Sequence, residues 1–259
     1  MKHFDGPEQF PDEEIGCFSE LIQAIERHSK GVCMFRGQKD ANWSIEPNIF
    51  RYVFKKKHLA HGLPEMLLDA FKKSAIRYIQ PLPNDWEWLS VAQHHGLLTP
   101  LLDWTANPLV GAFFAVEQYF KESEYLKEAE KISSVLWCYW PRQDHLGRLE
   151  DYYDPATSPF DIDRVVVFEP AHHSSRIPAQ SAIFTVHPFL KGGMSRPKWG
   201  GQLLKIKIPP RARVEIRRTL FRFGIHHSSL FPDLDGAAKY INATYSSGDD
   251  EELYRKGAP

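Results

Sequence analysis

The spacing of apolar residues predicts an amphipathic helix over residues 12–28, where Ile15, Phe18, Leu21, Ile22 and Ile25 recur at three- and four-residue intervals. Asp12 to Glu14 place acids at its favourable N-terminal end. The apolar run Val32-Cys33-Met34-Phe35 predicts a strand over 31–36, and the stretch from Asp40 to Tyr52 reads as loop-rich. Pro64 opens a predicted helix over 64–79. A further helix covers 85–95 and stops at Gly96, and the Ala-rich apolar segment 107–121 predicts a buried helix. Strands are predicted over 133–140, 163–168 and 181–187. Segment 202–208 alternates Leu203, Lys205 and Lys207 with Leu204, Ile206 and Ile208, as a half-exposed strand does. A last helix is predicted over 234–244, and the polar end 246–259 reads as a frayed tail.

Helices dominate the first half and strands the second, without regular strand–helix–strand alternation, so the predicted class is α+β with a mostly antiparallel or mixed sheet. The chain has 259 residues, 42% hydrophobic, which suffices for one large core. One domain over residues 30–245 is predicted, with an N-terminal helix (1–29) packed on it and the tail (246–259) beyond. A net charge of −1 gives no global attraction to nucleic acid, so any such binding must come from a local patch. Cys17, Cys33 and Cys138 are odd in number and form no CxxC pair, which points to a reducing cytoplasm and away from a cysteine zinc site. No apolar leader and no 18-residue apolar stretch occurs, so a cytoplasmic protein without a membrane span is expected.

Candidate chemistry gathers in four places. Arg36 closes a strand-like run and precedes Gly37 and Gln38; its planar donors suit phosphate, and the glycine permits close approach of a ligand or another backbone. The alternative is an arginine paired with a buried carboxylate. The segment from Gln93 to Asn107 holds His94, Thr99, Asp103 and Thr105; Asp103 and Thr105 suit helix capping as well as an anion-binding helix start. The case for His94 rests on its neighbours Gln93, Thr99 and Asp103. Arg176 and Gln180 precede a predicted strand, where Gln180 offers an amide to a ligand or to backbone. Between Lys205 and Arg222 seven basic residues face one acid, Glu215, and Lys55-Lys56-Lys57 forms a second cluster: a solvated face, or a phosphate track for nucleic acid. Three His-His pairs, at 94–95, 172–173 and 226–227, lack metal-site spacing, and none of the GxSxG, GxxxxGK[ST] or GxGxxG loops is present.

Phe35-Arg36-Gly37-Gln38 with Trp43 and Pro47 resembles the opening motif of the FRG domain family. Gln93-His94-His95-Gly96 followed by Thr99-Pro100-Leu101-Leu102-Asp103-Trp104-Thr105 is similar to its central signature. Arg176, Ile177, Ala179-Gln180 and Phe184-Thr185 resemble a third block, and Leu230 to Gly236 a closing one, so the resemblance spans about 30–241. Pro100 stands where a basic residue is expected, and Ser181-Ala182 where the family tends to have a glycine. The block order is in turn similar to that of ADP-ribosyltransferases. That similarity implies an ADP-ribosyltransferase-like fold, NAD as substrate, and a toxin or phage-defence effector that modifies RNA or protein, with an antitoxin or chaperone as a possible partner. On it Arg36 holds the NAD phosphates and the nicotinamide-side ribose, with Gly37, Gln38, His94, Thr105 and Arg176 as further binding residues. Thr99 or Thr105 takes the second motif position and Gln180 the third; Asp103 or Glu169 supplies the negative charge that the neutral Gln180 lacks. Two other readings stay open: a nucleotide- or nucleic-acid-binding module without catalysis, and a metal-independent ribonuclease using His94 and Arg36.

Overall fold

The computed structural model describes residues 8–9, 12–29, 31–55, 62–117, 131–144, 146, 148–189 and 199–245. Lys56 and Lys57 of the second basic cluster, residues 118–121 of the predicted 107–121 helix and the tail 246–259 lie outside that set. In chain order the elements are β1 (Glu8–Gln9), β2 (Glu13–Glu14), α1 (Phe18–His28), β3 (Met34–Gln38), α2 (Asn48–Lys55), α3 (Leu63–Ala75), α4 (Asp85–His94) and β4 (Leu101–Thr105). They continue with α5 (Pro108–Val116), β5 (Ser134–Trp140), β6 (Val166–Phe168), α6 (Arg176–Ala179), β7 (Ala182–Val186) and β8 (Gln202–Ile208). The last are α7 (Pro210–Arg222), α8 (His227–Leu230) and α9 (Leu234–Tyr245).

The class is α+β. The strands form one mixed sheet in the order β1-β8-β5-β3-β4-β7-β6, with β2 also on β8. The two-residue strands β1 and β2 run parallel to β8, and every other pairing is antiparallel. The first helix therefore starts later than its periodicity predicts. Glu13 and Glu14 pair with Ile206 and Lys207, and the helix begins only after Gly16, whose N–H bonds the Glu20 carboxylate at 2.6 Å. The apolar stripe of α1 (Leu21, Ala24, Ile25) joins α5 and α7 over β8, β5 and β3. Beside this, α3 and α4 cover β4, β7 and β6.

Cross-strand partners share a sheet face. Phe35 and Thr105 are partners, so Phe35, Thr105, Asp103 and Leu101 all belong to the face carrying α4 and α5. Met34, Leu102, Trp104, Trp137 and Tyr139 pack on the opposite face, which is also the face of Arg36 by alternation.

Pairing is uneven. β3 shares five residue pairs with β5, and β4 shares five with β7, but β3 and β4 share one, Phe35 with Thr105. The sheet is thus two blocks joined at a seam.

Glycines fix one flank of that seam. A Cβ on Gly37 would overlap the Gly111 carbonyl and the Ala115 N–H of α5, and one on Gly111 would stand 2.8 Å from Leu136 Cδ1 and 3.0 Å from Phe35 Cβ. The bare glycine at 37 thus admits another backbone. α5 starts at Asn107, whose side chain accepts from Leu109 N, with Pro108 next; neither Asp103 nor Thr105 is the cap.

The predicted loop over 40–52 contains a correction: α2 begins at Asn48 and buries Ile49 and Phe50. The basic run 205–222 is likewise divided. Lys205 and Lys207 are on β8 and the arginines on α7, whose Ala212, Ile216 and Leu220 are buried. Lys207 pairs with Asp12 at 2.6 Å, Arg211 with Glu14 at 3.8 Å, and Arg213 bonds the carbonyl of Lys39 at 3.0 Å.

Ser181 has φ +46, the one non-glycine residue in the left-handed region among those described, at the place where the family resemblance leads one to expect glycine.

Two stability measurements test this account. Gly37→Ala drives a methyl into α5 backbone, and urea unfolding should show a loss of about 3 kcal/mol or more. Ser181→Gly relieves the left-handed strain and should stabilise by roughly 0.5–1 kcal/mol, the strain relief exceeding the added unfolded-state entropy; a destabilised variant would contradict the backbone described here.

Candidate functional site

The seam between β3 and β4 opens into a cleft of about 720 Å³. Arg36, Gln38, Trp43, Asn48 and Arg51 line it from one side of the sheet, and Gln93, His94, Asp103, Phe114, Arg176, Gln180 and Phe231 from the other.

Arg36 reaches across the seam. Its Nη1 donates to the Asp103 carbonyl at 2.7 Å and lies 3.7 Å from Asp103 Oδ2. That carbonyl is on the β4 segment that β3 leaves unpaired, so a side chain supplies the bond a strand would otherwise give. Burial lowers the Arg36 pKa, Asp103 opposes the shift and Arg51 adds to it. Its Nε is out of solvent and has no acceptor among the described residues.

Asp103 is 58% exposed and faces into the cleft. Gln93 Nε2 donates to both of its oxygens at 3.3 and 3.2 Å. Thr99 Oγ1 in turn donates to Gln93 Oε1 at 2.5 Å and accepts from Leu101 N at 3.3 Å. This relay fixes the Gln93 amide so that its donor edge meets Asp103.

The predicted site residues therefore separate by role. Arg36, Gly37, Gln38, His94, Asp103, Thr105, Arg176 and Gln180 all border the cleft. Thr99 is buried behind Gln93 and is not among the lining residues. Gln38 is also buried, accepting from Trp137 Nε1 at 2.8 Å and donating to the Ser44 carbonyl at 3.3 Å. Thr105 donates to the Gln180 carbonyl at 2.6 Å and accepts from Asn107 N at 3.0 Å. Gln180 Nε2 donates to the Leu230 carbonyl at 2.9 Å, tying the strand entry to α8. Arg176 is paired with Asp233 at 2.6 Å and stacks over Phe231. His94 has its pKa lowered by burial first, then by Arg176 and His95. Glu169 does not border the cleft; it lies beside Tyr152.

Sequence reasoning overlooked several cleft residues. Arg51 follows Ile49 and Phe50 on α2, whose apolar spacing at 49, 50, 53 and 54 is a helical signal. Glu117 follows the apolar α5 directly. Its carboxylate is buried between Lys39 Nζ at 3.2 Å and His227 Nε2 at 2.8 Å. Burial works against its charge, but the hydrogen bond from His227 and the charge of Lys39 outweigh it and hold the carboxyl below its ordinary pKa. Of the two acids bordering the cleft, Glu117 is thus neutralised by its partners and Asp103 is the more available.

Comparison with known families follows from these motifs. The model of the FRG domain matches residues 31–124. Across those residues the chain is similar to the FRG domain. The matched segment runs from before β3 past α5, so it supplies Arg36, Arg51, Gln93, Asp103 and Glu117, while Arg176, Gln180 and Phe231 reach the cleft from beyond it. No curated protein and no solved structure matches the chain. Among the described residues no group of three or more metal-ligating side chains occurs, and no helix is long and apolar enough to cross a membrane.

Behind Arg36 the fold buries a histidine that the motifs do not include. His187 is 1% exposed, and its Nε2 lies 3.0 Å from Thr185 Oγ1, which accepts from Trp104 Nε1 at 2.9 Å. The threonine hydroxyl keeps its own proton, and the other ring nitrogen of His187, Nδ1, is buried with no partner among the described residues. Burial, with the charge of Arg36 adding to it, lowers the His187 pKa from 6.5 to about 3. The folded protein keeps this imidazole neutral while the unfolded chain protonates it, so stability is whole above pH 6.5 and falls progressively as pH drops toward 3. His187→Gln should flatten that part of a pH–stability profile, and the imidazole signals of His187 should not titrate above about pH 4.

Proposed function

We propose that this protein is an NAD-dependent ADP-ribosyltransferase that moves ADP-ribose to an acceptor on nucleic acid or protein, the activity of a toxin or phage-defence effector. The observation that carries the reading is Asp103, an accessible carboxylate inside a large cleft, oriented by Gln93 and standing beside a buried guanidinium.

Cleavage of NAD breaks the bond between ribose C1′ and the nicotinamide nitrogen. The bonding electrons leave with nicotinamide, which becomes neutral, and C1′ gains oxocarbenium-like positive charge. The acceptor's lone pair then bonds to C1′ and its proton passes to water. Positive charge developing at C1′ calls for a fixed negative charge, and Asp103 meets that need without reorganisation because the Gln93 amide holds it. Arg36 suits the phosphates, and Trp43, 42% exposed, with Phe231 offers ring faces for nicotinamide or adenine. The cleft volume falls in the range of small-ligand sites. In this reading Gln180 and Thr105 act as positioning residues that hold the cleft wall, and Thr99 acts through Gln93. The similarity of block order to ADP-ribosyltransferases adds support as an analogy of fold. A second reading, a nucleotide-binding module without chemistry, draws on Gln180, which is neutral and already bonded to Leu230.

Labelled NAD incubated with the protein and total RNA or lysate separates the two. Wild type should transfer label, Asp103→Asn should lose about 10²-fold or more in rate while still binding NAD, and Arg36→Ala should lose both binding and transfer. Binding of NAD with no consumption would leave the binding module standing. RNA cleaved in the absence of NAD would replace both readings with a ribonuclease.

A further inference from the structure

We infer that Arg51, together with Arg36, forms a two-guanidinium cradle for the pyrophosphate of a nucleotide on the α2 side of the cleft. The inference rests on the proposed nucleotide ligand and adds a binding residue that the motifs do not contain.

Both arginines border the same cleft. Arg36 spends Nη1 on the Asp103 carbonyl, and its Nε and Nη2 have no acceptor among the described residues. Those two atoms form one edge of the guanidinium, the edge that donates to two phosphate oxygens side by side. Arg51 spends Nη2 on the carbonyls of Ser44 and Glu46 at 3.2 and 3.3 Å, so its side-on edge is half used; its buried Nε has no acceptor among the described residues, and it offers single donors beside the open edge of Arg36.

The charge balance points the same way. Among the described residues no carboxylate lies within 4.0 Å of Arg51, and Arg36 has Asp103 at 3.7 Å. Neutral carbonyls hold Arg51 in place without cancelling its charge. Burial is the main cause that lowers the Arg36 pKa, and the like charge of Arg51 on the same cleft adds to it. An anion between them offsets that like charge and supplies the missing acceptors. Each Nε is shielded from water, in surroundings where charge-assisted hydrogen bonds are strong. Trp43, on the loop that Arg51 pins through Ser44, adds a ring face beside the anion.

Calorimetric titration with ADP, adenosine and inorganic pyrophosphate tests the cradle. Wild type should bind ADP and pyrophosphate but not adenosine. Arg51→Gln should weaken ADP roughly 10- to 100-fold, and Arg51→Lys, which keeps the charge and loses the fork, should fall between. An unchanged ADP affinity in Arg51→Gln would overturn the inference. Should that variant fail to fold, phenylglyoxal labelling of wild type read by mass spectrometry decides: ADP should protect Arg51 and Arg36 together, and labelling of Arg51 indifferent to ADP would overturn it. Arg51-dependent ADP binding without NAD turnover would keep the cradle and remove the transferase; NAD turnover with the KM untouched in Arg51→Gln would do the reverse.

Discussion

Two neighbouring strands that meet at one residue pair decide the shape of this molecule. Phe35 and Thr105 join β3 to β4, and beyond that point the ladder stops. A parted ladder leaves backbone groups without partners, which proteins rarely tolerate in the interior. Here the Arg36 side chain closes the gap by donating to the Asp103 carbonyl. On the other flank, the Gly37–Gly111 contact lets α5 press against β3 and keeps that strand with β5. Helices α4 and α5 then cover different blocks of the sheet, and the space between them is the cleft.

The polar residues of the cleft divide into those that hold and those that are held out. Gln93, backed by Thr99, and Thr105, Gln180 and Gln38 all bond within the protein, and Glu117 is neutralised by Lys39 and His227. Asp103, His94, the unspent edge of Arg36 and the unspent Nε of Arg51 are among what the cleft offers a ligand. The proposed chemistry draws on that division: one fixed anion opposite fixed cations, each kept in place by neutral groups.

Much of this was legible in the sequence. The predicted bounds 202–208 match β8, with Lys205 and Lys207 half-exposed but Leu203 buried, and Gly96 ends α4 in a left-handed turn, as its position implies. The motif residues converge on one cleft because they mark the ends of β3, α4 and β4 and the entry to β7. What stayed hidden was partnership across distance. Thr99 reads as a second-motif site residue until its hydroxyl is seen to donate to Gln93 from behind the cleft wall. Asp103 and Thr105 read as caps because Asn107, the true cap, is two residues further on and equally suited. The run from Lys205 to Arg222 looks continuous, yet a strand-to-helix change at Pro209 splits it and Asp12 and Glu14 return from the far end of the chain to pair with it. Arg51 was missed because a loop was read where four apolar residues already spelled a helix.

The bond from Arg36 to the Asp103 carbonyl has a consequence for what can vary in this fold. The cavity and the charge inside it are not independent quantities. A chain without the arginine would have to satisfy the same carbonyl with water or by zipping β3 onto β4, and a zipped seam has no room for a ligand. One guanidinium thus bears both on the charge of the site and on whether the site stays open.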